Sequence, residues 1–165
     1  MKKILFRSLL AIGFGLWANA ACAQIFIEEG KVVLPIAPGE RVERSLLVHN
    51  TSDQTINVRA YWEDFHYVAP FDAAKQFLPA GTSPDSFFTW VKSSPQNFTL
   101  PAFGKQKISI VFDVPPQIKG GHYGVLFFEN ESQGRIQEKG VNIVTRVGSL
   151  FFLEPENKVK ASRIE

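Results

Sequence analysis

The chain has 165 residues, of which 45% are hydrophobic, and 18 basic against 16 acidic residues give a formal net charge of +2. This length suits one domain with a sizeable core and makes two full domains improbable. The near-neutral balance argues against a nucleic-acid partner, because the longest basic cluster, NKVKASR near the C-terminus, is typical of a solvated tail.

Residues 1–23 have the pattern of a secretory signal peptide. Basic residues at positions 2, 3 and 7 precede the apolar run Ser8–Trp17, and the small residues of ANAACAQ follow. Two A-x-A matches end at Ala20 and Ala23, and we favour cleavage after Ala23. The apolar run is shorter than the roughly 20 residues of a membrane-spanning helix. We therefore expect no membrane span after cleavage.

The only cysteine, Cys22, lies in this segment. A lipoprotein cysteine is the alternative interpretation, but Asn19 stands where that signal prefers an aliphatic residue. Cleavage after Ala23 would leave no cysteine, so we expect no disulfide, no thiol catalysis and no cysteine metal site.

Alternating apolar residues predict β-strands along most of the remaining chain. An N-terminal strand pair is predicted at Ile25–Ile27 and Val32–Leu34. The segments RVERSLLVHN and INVRAYWEDF alternate in the same way, and the NTSDQT between them is rich in turn-forming residues. We expect these two segments to form a hairpin.

The segment His66–Phe88 is the least regular part of the chain and predicts a long connection. We expect part of it to pack on the domain rather than to display a sticky surface, the alternative for its aromatic side chains. These aromatic residues are Tyr67, Phe71, Phe77, Phe87 and Phe88.

The segment KQKISIVFDV predicts a further strand, which the two prolines of PPQIKGGHYGVLFFEN end because proline cannot donate to a ladder. In KGGHYG the lysine precedes the glycines and a strand follows, so the order does not match a phosphate-binding loop. Gly120 and Gly121 are expected to turn the chain through positive φ. His122 is expected at the rim, and the core is predicted to include Val125, Phe127 and Phe128.

Short strands rich in Val, Ile and Phe predict an all-β fold, an immunoglobulin-like antiparallel β-sandwich of about seven strands over residues 24–155. Residues 156–165 would be a tail or the start of a missing segment. In such a sandwich Trp62 would be the buried tryptophan between the sheets. Tyr123 would tie its hydroxyl back to the backbone of the preceding corner.

Motifs for catalysis are absent from the sequence. The three histidines, His49, His66 and His122, lack the spacing of metal ligands. Glu63 and Asp64 are adjacent, so they point to opposite faces of a strand, and we interpret them as a solvated strand end. No G-x-S-x-G motif occurs. We predict a protein that is not an enzyme and uses no metal or cofactor.

Three segments resemble the N-terminal immunoglobulin-like domain of PapD-type periplasmic pilus-assembly chaperones: KVVLPIAPGERVERSLLVHNTSDQTINVRAYWED, WVKSSPQNFTLPAFGKQKISIVF and GVNIVTRVGSLFFLEP. The similarity covers roughly Ile25 to Pro155. It implies a periplasmic protein whose partner is a pilin-like subunit, to which the strand Val141–Leu150 lends a missing strand. The alternative is a structural or adhesive immunoglobulin-like module of the cell envelope or surface.

The resemblance also implies residues that contact the partner. In the family, two basic residues hold the C-terminal carboxylate of the subunit. By position, Lys31 corresponds to one of them, and Arg146 substitutes for the other because Gly148 occupies the likeliest place. Val141 and Ile143 would be the apolar side chains offered to the subunit. The family's chaperones have a second immunoglobulin-like domain, whereas this sequence ends soon after the first.

Overall fold

The computed structural model describes residues 24–69, 74–131 and 144–156. The predicted signal peptide lies outside these residues, and so do Val141, Ile143 and most of the predicted tail. The described chain forms ten strands and one 3-10 helix, Phe88–Trp90. The strands are β1 (Ile25–Ile27), β2 (Lys31–Ile36), β3 (Arg41–Asn50), β4 (Ile56–Tyr67), β5 (Lys75–Pro79), β6 (Val91–Ser94), β7 (Asn97–Leu100), β8 (Lys105–Asp113), β9 (His122–Asn130) and β10 (Arg146–Pro155).

The strands form two packed sheets, which confirms the all-β, immunoglobulin-like sandwich, although with more strands than the expected seven. The first sheet has the order β1-β3-β8-β6. The second has the order β2-β10-β9-β4-β5, and β7 also pairs with β4. Neighbours are antiparallel except β2 and β10, which run parallel.

The predicted hairpin of β3 and β4 is wrong, because the two strands lie in different sheets. Asn50 organises the corner between them. Its side-chain amide donates to the carbonyl oxygens of Gln54 (2.7 Å) and Pro101 (2.9 Å), and its side-chain oxygen accepts from the backbone N–H of Ser52 (3.0 Å). Turn-forming residues suit a corner between sheets as well as a hairpin, and alternation does not distinguish the two.

The two N-terminal strands do not pair with each other either. β1 belongs to the first sheet and β2 to the second, so the chain crosses the edge of the sandwich between Ile27 and Lys31. The crossing is attached to β10: the Ser149 hydroxyl donates to the carbonyl oxygen of Glu29 (2.6 Å), and the Leu150 N–H donates to that of Gly30 (3.0 Å).

Trp62 lies in the main core between the sheets, as predicted. Its side chain is 8% exposed, and its ring packs edge-on against the rings of Phe87, Phe112 and Phe151 at centroid distances of 5.3, 6.3 and 5.1 Å. The indole N–H donates to the hydroxyl of Ser93 at 3.1 Å. The buried polar atom is thus satisfied, as burial of a tryptophan requires.

The segment predicted as a long connection contains regular structure. β4 continues to Tyr67, and β5 follows at Lys75–Pro79. Among its aromatic residues Phe87 is fully packed, whereas Tyr67, Phe77 and Phe88 are partly exposed and Phe71 lies outside the described residues.

The interpretation of Asp64 as part of a solvated strand end is wrong. The residue is 2% exposed, and its carboxylate accepts hydrogen bonds from the backbone N–H groups of Thr82 and Ser83 and from the hydroxyl of Ser86, at 2.7 to 2.9 Å. A buried carboxylate needs such donors. Asp64 therefore holds the turn between β5 and the 3-10 helix against β4.

The glycine corner before β9 is confirmed only in part. Gly120 has a φ of +74°, whereas Gly121 is not among the glycines with positive φ. A Cβ atom at Gly121 would lie 2.6 Å from the hydroxyl oxygen of Tyr123, so this glycine allows close approach instead. The ring of Tyr123 packs against Phe65 and Phe152. The hydrogen bond predicted for its hydroxyl remains a prediction.

β9 has two buried faces, which changes the expected roles of its side chains. His122 is 7% exposed and lies 4.4 Å from the ring of Trp90, so it is not a rim residue. Neither of its ring nitrogens has a hydrogen-bond partner among the described residues. Phe128 faces the main core, whereas Val125 and Phe127 belong to a smaller apolar cluster.

This smaller cluster lies on the outer face of the second sheet. It consists of Phe65, Val125, Phe127 and Phe152, with Tyr61, Tyr123 and Leu150 packed against them. Within the described part of the chain, no helix is long and apolar enough to cross a membrane, and no group of acidic, histidine or cysteine side chains has the arrangement of a metal site.

Candidate functional site

Within the part of the chain that the structure describes, β10 is paired on both sides only in its middle, and its first residues are paired on one side alone. It pairs with β9 from Arg146 to Leu153, and with β2 from Leu150 to Pro155. Among the described residues no strand pairs with the β2 side of Arg146–Ser149. We call this segment the open half of β10.

The hydrogen bond from the Leu150 N–H to Gly30 shows which residues of β10 face the unpaired side. Successive residues of a strand direct their N–H and C=O groups to alternate sides. Leu150 directs its backbone N–H and C=O groups towards β2, so Gly148 and Arg146 direct their backbone groups to the same side. The N–H and C=O groups of these two residues are therefore available to a further strand.

The open half borders the edge of the other sheet. β1 is the terminal strand of the first sheet and lies beside β10. Its central side chain, Phe26, is 51% exposed and packs edge-on against the ring of His49.

β2, the outermost strand beyond the other half of β10, is a poorer edge. The carbonyl groups of Gly30 and Ile36 accept hydrogen bonds from the N–H groups of Leu150 and of Glu156, which follows β10. By the same alternation the backbone groups of Lys31, Val33 and Pro35 point away from β10. Pro35 is exposed and has no N–H to donate. A proline on an edge strand opposes further pairing.

Arg146 lies at the start of the open half, on the outer face of the second sheet. One of its terminal nitrogens donates to the Glu63 carboxylate at 2.8 Å and to the Tyr61 hydroxyl at 3.3 Å. Its guanidinium carbon lies 4.1 Å from the ring centre of Phe127 and 5.7 Å from that of Phe77. The side chain thus crosses β9 and ends at β4 and β5.

Tyr61 links Arg146 to a second ion pair. Its hydroxyl accepts from Arg146 and donates to the Glu129 carboxylate at 2.9 Å, and Glu129 also pairs with Arg59 at 3.2 Å. Burial raises the pKa of Tyr61, which keeps the phenol protonated as a donor. The hydrogen bond to Tyr61 is the main cause that raises the pKa of Arg146.

The structure gives a reason for glycine at position 148, where the resemblance places the second basic anchor. A Cβ atom there would lie 2.8 Å from side-chain atoms of both Phe127 and Val125. Phe127 is the residue that opposes Gly148 in the β9–β10 register. The aromatic ring therefore occupies the space that any side chain at position 148 would need.

Lys31, the other predicted anchor, lies at the start of β2, directly opposite Leu150. Its ammonium group is 4.8 Å from the ring centre of Phe152. Among the described residues it forms no ion pair, in contrast to Arg146.

The two predicted anchors are not brought together. Arg146 lies four positions before Leu150, the register partner of Lys31, which is roughly 13 Å along a strand. The Arg146 side chain also runs away from β2. Val141 and Ile143 lie outside the described residues, so their roles remain predictions.

Sequence reasoning missed Glu63 and Tyr61 as partners of Arg146. They lie more than 80 residues earlier in the chain, and only the order β10-β9-β4 places them on the same face. Their alternation with Trp62 indicated an outward orientation, but nothing in the pattern indicated which cation they would meet.

A scan against protein-family models finds no match, and a search of the curated proteins finds none. Solved structures do match. PapD-like domain 7 of human CEP192 is 15% identical, with a TM-score of 0.54 over 80% of this chain and 84% of that one. The class 5 fimbriae chaperone CfaA is 17% identical, with a TM-score of 0.51 over 79% of this chain and 56% of that one.

A third similar structure is that of the SafA pilin in complex with the SafB chaperone from Salmonella enterica. It is 12% identical, with a TM-score of 0.52, and the match covers 81% of this chain and 55% of that one. At such identities the likeness shows the fold alone, and the chain has a PapD-like fold. It spans little more than half the length of the chaperone chains that it matches.

Proposed function

We propose that this domain is a periplasmic, pilus-assembly-type chaperone module that binds a secreted subunit by pairing the open half of β10 with one of the subunit's strands. The observation that carries the proposal is the unpaired side of Arg146–Ser149 in an otherwise paired strand. In β-augmentation, backbone hydrogen bonds supply affinity, and alternate side chains supply specificity. Similar structures include chaperones bound to a pilin and to a tip adhesin.

The open half of β10, as far as the structure describes it, is short for binding a strand of the subunit. Two residues, Arg146 and Gly148, offer at most four backbone hydrogen bonds, each of which contributes about 0.5–1.5 kcal/mol net. A stable complex therefore needs a longer edge. In the proposed mechanism the strand extends back to Val141, and Val141 and Ile143 offer their side chains to the subunit.

Lys31 is the better candidate for an electrostatic contact with the partner. It lies beside the C-terminal end of the open half, opposite Leu150, and has no ion-pair partner among the described residues. A charge-assisted bond from its ammonium group to a carboxylate of the subunit would be favourable. Arg146 would first have to leave Glu63.

A structural or adhesive module of the cell envelope is the second candidate. The match to a PapD-like domain of human CEP192, which covers 84% of that chain, favours it because the fold also occurs outside the fimbrial chaperones. Both candidates are binding proteins, and neither involves catalysis.

A pair of substitutions at Arg146 tests the mechanism. Arg146→Pro and Arg146→Ala both remove the guanidinium, but only proline also removes the N–H that faces the open side. The mature chain, immobilised and exposed to a periplasmic extract, should recover a strand-deficient secreted subunit. Recovery should be reduced with Arg146→Ala, which keeps the backbone N–H, and be lost with Arg146→Pro. Equal recovery by both variants would contradict pairing at this edge.

A second variant pair tests the extension of the edge. Val141→Asp combined with Ile143→Asp should abolish recovery, because both substitutions place charge among apolar contacts. Asn142→Asp is the matched control, since neighbouring residues of a strand face opposite ways. If recovery survives the double substitution, strand donation by this segment is wrong. If the unsubstituted domain recovers no subunit, the structural module becomes the better explanation.

A further inference from the structure

We infer that Arg146 is a positioning residue that holds the open half of β10 on the sheet, so that the binding edge is preformed. Only the effect of this contact on subunit binding rests on the proposed function. The holding contact itself is a property of the free domain.

The open half needs such a contact because, among the described residues, it is paired with one strand only. By the alternation along β10, Val147 and Ser149 direct their N–H and C=O groups towards β9, opposite Phe128 and Leu126. Ser149 is further held by its hydroxyl bond to Glu29. Towards Arg146 only the ladder to β9 remains, and a strand end held on one side opens easily.

The Arg146 side chain connects β10 to strands that its backbone does not touch. Glu63 and Tyr61 belong to β4, which is separated from β10 by β9, and Phe77 belongs to β5. The guanidinium is held by a carboxylate, a phenol and two aromatic rings at once. Opening of the strand end would break all these contacts together.

The short sequence Arg-Val-Gly, residues 146–148, explains how the contact fits. Because Gly148 has no side chain, the ring of Phe127 lies against the backbone of β10. The same ring contacts the guanidinium two residues earlier. Arginine is suited to this place, since its planar group stacks on an aromatic ring while it donates to a carboxylate.

Two consequences follow for binding. An edge that is already ordered requires less ordering when a partner strand arrives, so preorganisation increases affinity. The charge of Arg146 is compensated by Glu63. Arg146 therefore supports binding by holding β10 in place, and it does not bind a carboxylate of the partner.

Amide hydrogen exchange of the free mature domain tests the contact without any partner. Arg146→Met should speed exchange of the Val147 amide about five- to tenfold, as expected for loss of one ion pair and its ring contacts. Glu63→Gln removes the ion pair alone and should speed it about two- to fivefold. The Phe151 amide, in the half paired on both sides, should be unchanged. Arg146→Lys should give an intermediate effect.

Arg41→Gln is the matched control, because Arg41 forms an ion pair of the same length with Asp113 (2.8 Å) in the other sheet. It should leave the Val147 amide unchanged. An unchanged rate at Val147 in Arg146→Met would overturn the inference. Faster exchange there supports it whether or not the domain recovers a subunit, and failed recovery would count against the proposed function alone.

Discussion

The two halves of β10 differ in what they contribute to the molecule. Leu150–Pro155 pairs with β2, its residues up to Leu153 also pair with β9, and it buries Phe151, Phe152 and Leu153. Arg146–Ser149 is paired with β9 alone among the described residues, and it presents a glycine and an arginine on its outer face. One half of the strand stabilises the core, and in the proposed function the other half offers its backbone groups to a partner.

The division occurs where the N-terminal segment crosses between the sheets. The bonds from Ser149 to Glu29 and from Leu150 to Gly30 mark the point at which β2 begins to cover β10. Since β1 lies in the other sheet, the crossing leaves the first residues of β10 uncovered. The position of this crossing therefore sets the length of the open edge.

The largest effect is expected in the covered half. Phe151→Ala should lower the free energy of unfolding by about 3–5 kcal/mol, the usual cost of truncating a buried phenylalanine. Phe151 is fully buried against Trp62 and Phe112. In the open half, Val147→Ala should cost about 1 kcal/mol because Val147 is only half-buried. Urea unfolding measures both, and equal costs would contradict the division.

An intermediate effect is expected at Gly148. Gly148→Ala should destabilise the domain by about 1–3 kcal/mol, the range for overpacking, because the new methyl group would displace Phe127 or Val125. Displacement of Phe127 would also disturb the Arg146 contact, so the Val147 amide should exchange faster. Gly30→Ala is a control, since nothing lies within 4 Å of a Cβ atom there. An unchanged midpoint in Gly148→Ala would show that the ring is not held in place.

The smallest expected effect is a gain in stability at His122, which lies beside the covered half of β10. His122 opposes Leu153 and has two buried ring nitrogens without partners among the described residues. His122→Phe should keep the packing against Trp90 and raise stability by about 1 kcal/mol, because it removes unsatisfied polar atoms. Thermal unfolding measures the change. The exposed His66→Phe should be nearly neutral, and a loss of stability in His122→Phe would mean that its nitrogens are satisfied.

Alternation in the sequence predicted which side chains are buried better than it predicted which strands are neighbours. Trp62 and the positive φ of Gly120 follow from local patterns and are confirmed. The hairpin of β3 and β4 is wrong because a strand has the same alternation whether its partner lies beside it or across the core. The burial of Asp64 depends on donors about 20 residues later, which no local pattern indicates.

The candidate site was predictable only in outline. The resemblance indicated the last strand as the place of contact, and the open half of β10 lies in that strand. The environment of Arg146 was not predictable, since its ion pair with Glu63 depends on the order of three strands. The resemblance predicted Lys31 and Arg146 as two anchors of one site, whereas the register of β2 on β10 places them at separate positions along the strand.

Pro35 has a consequence for the stoichiometry of any complex. Because this proline removes a donor from the outer side of β2, the sheet does not offer a continuous edge on which chain after chain could stack. A strand bound to the open half of β10 would lie end to end with β2 and would fill the gap that β2 leaves. Binding at this edge should therefore be saturated by one partner strand per domain.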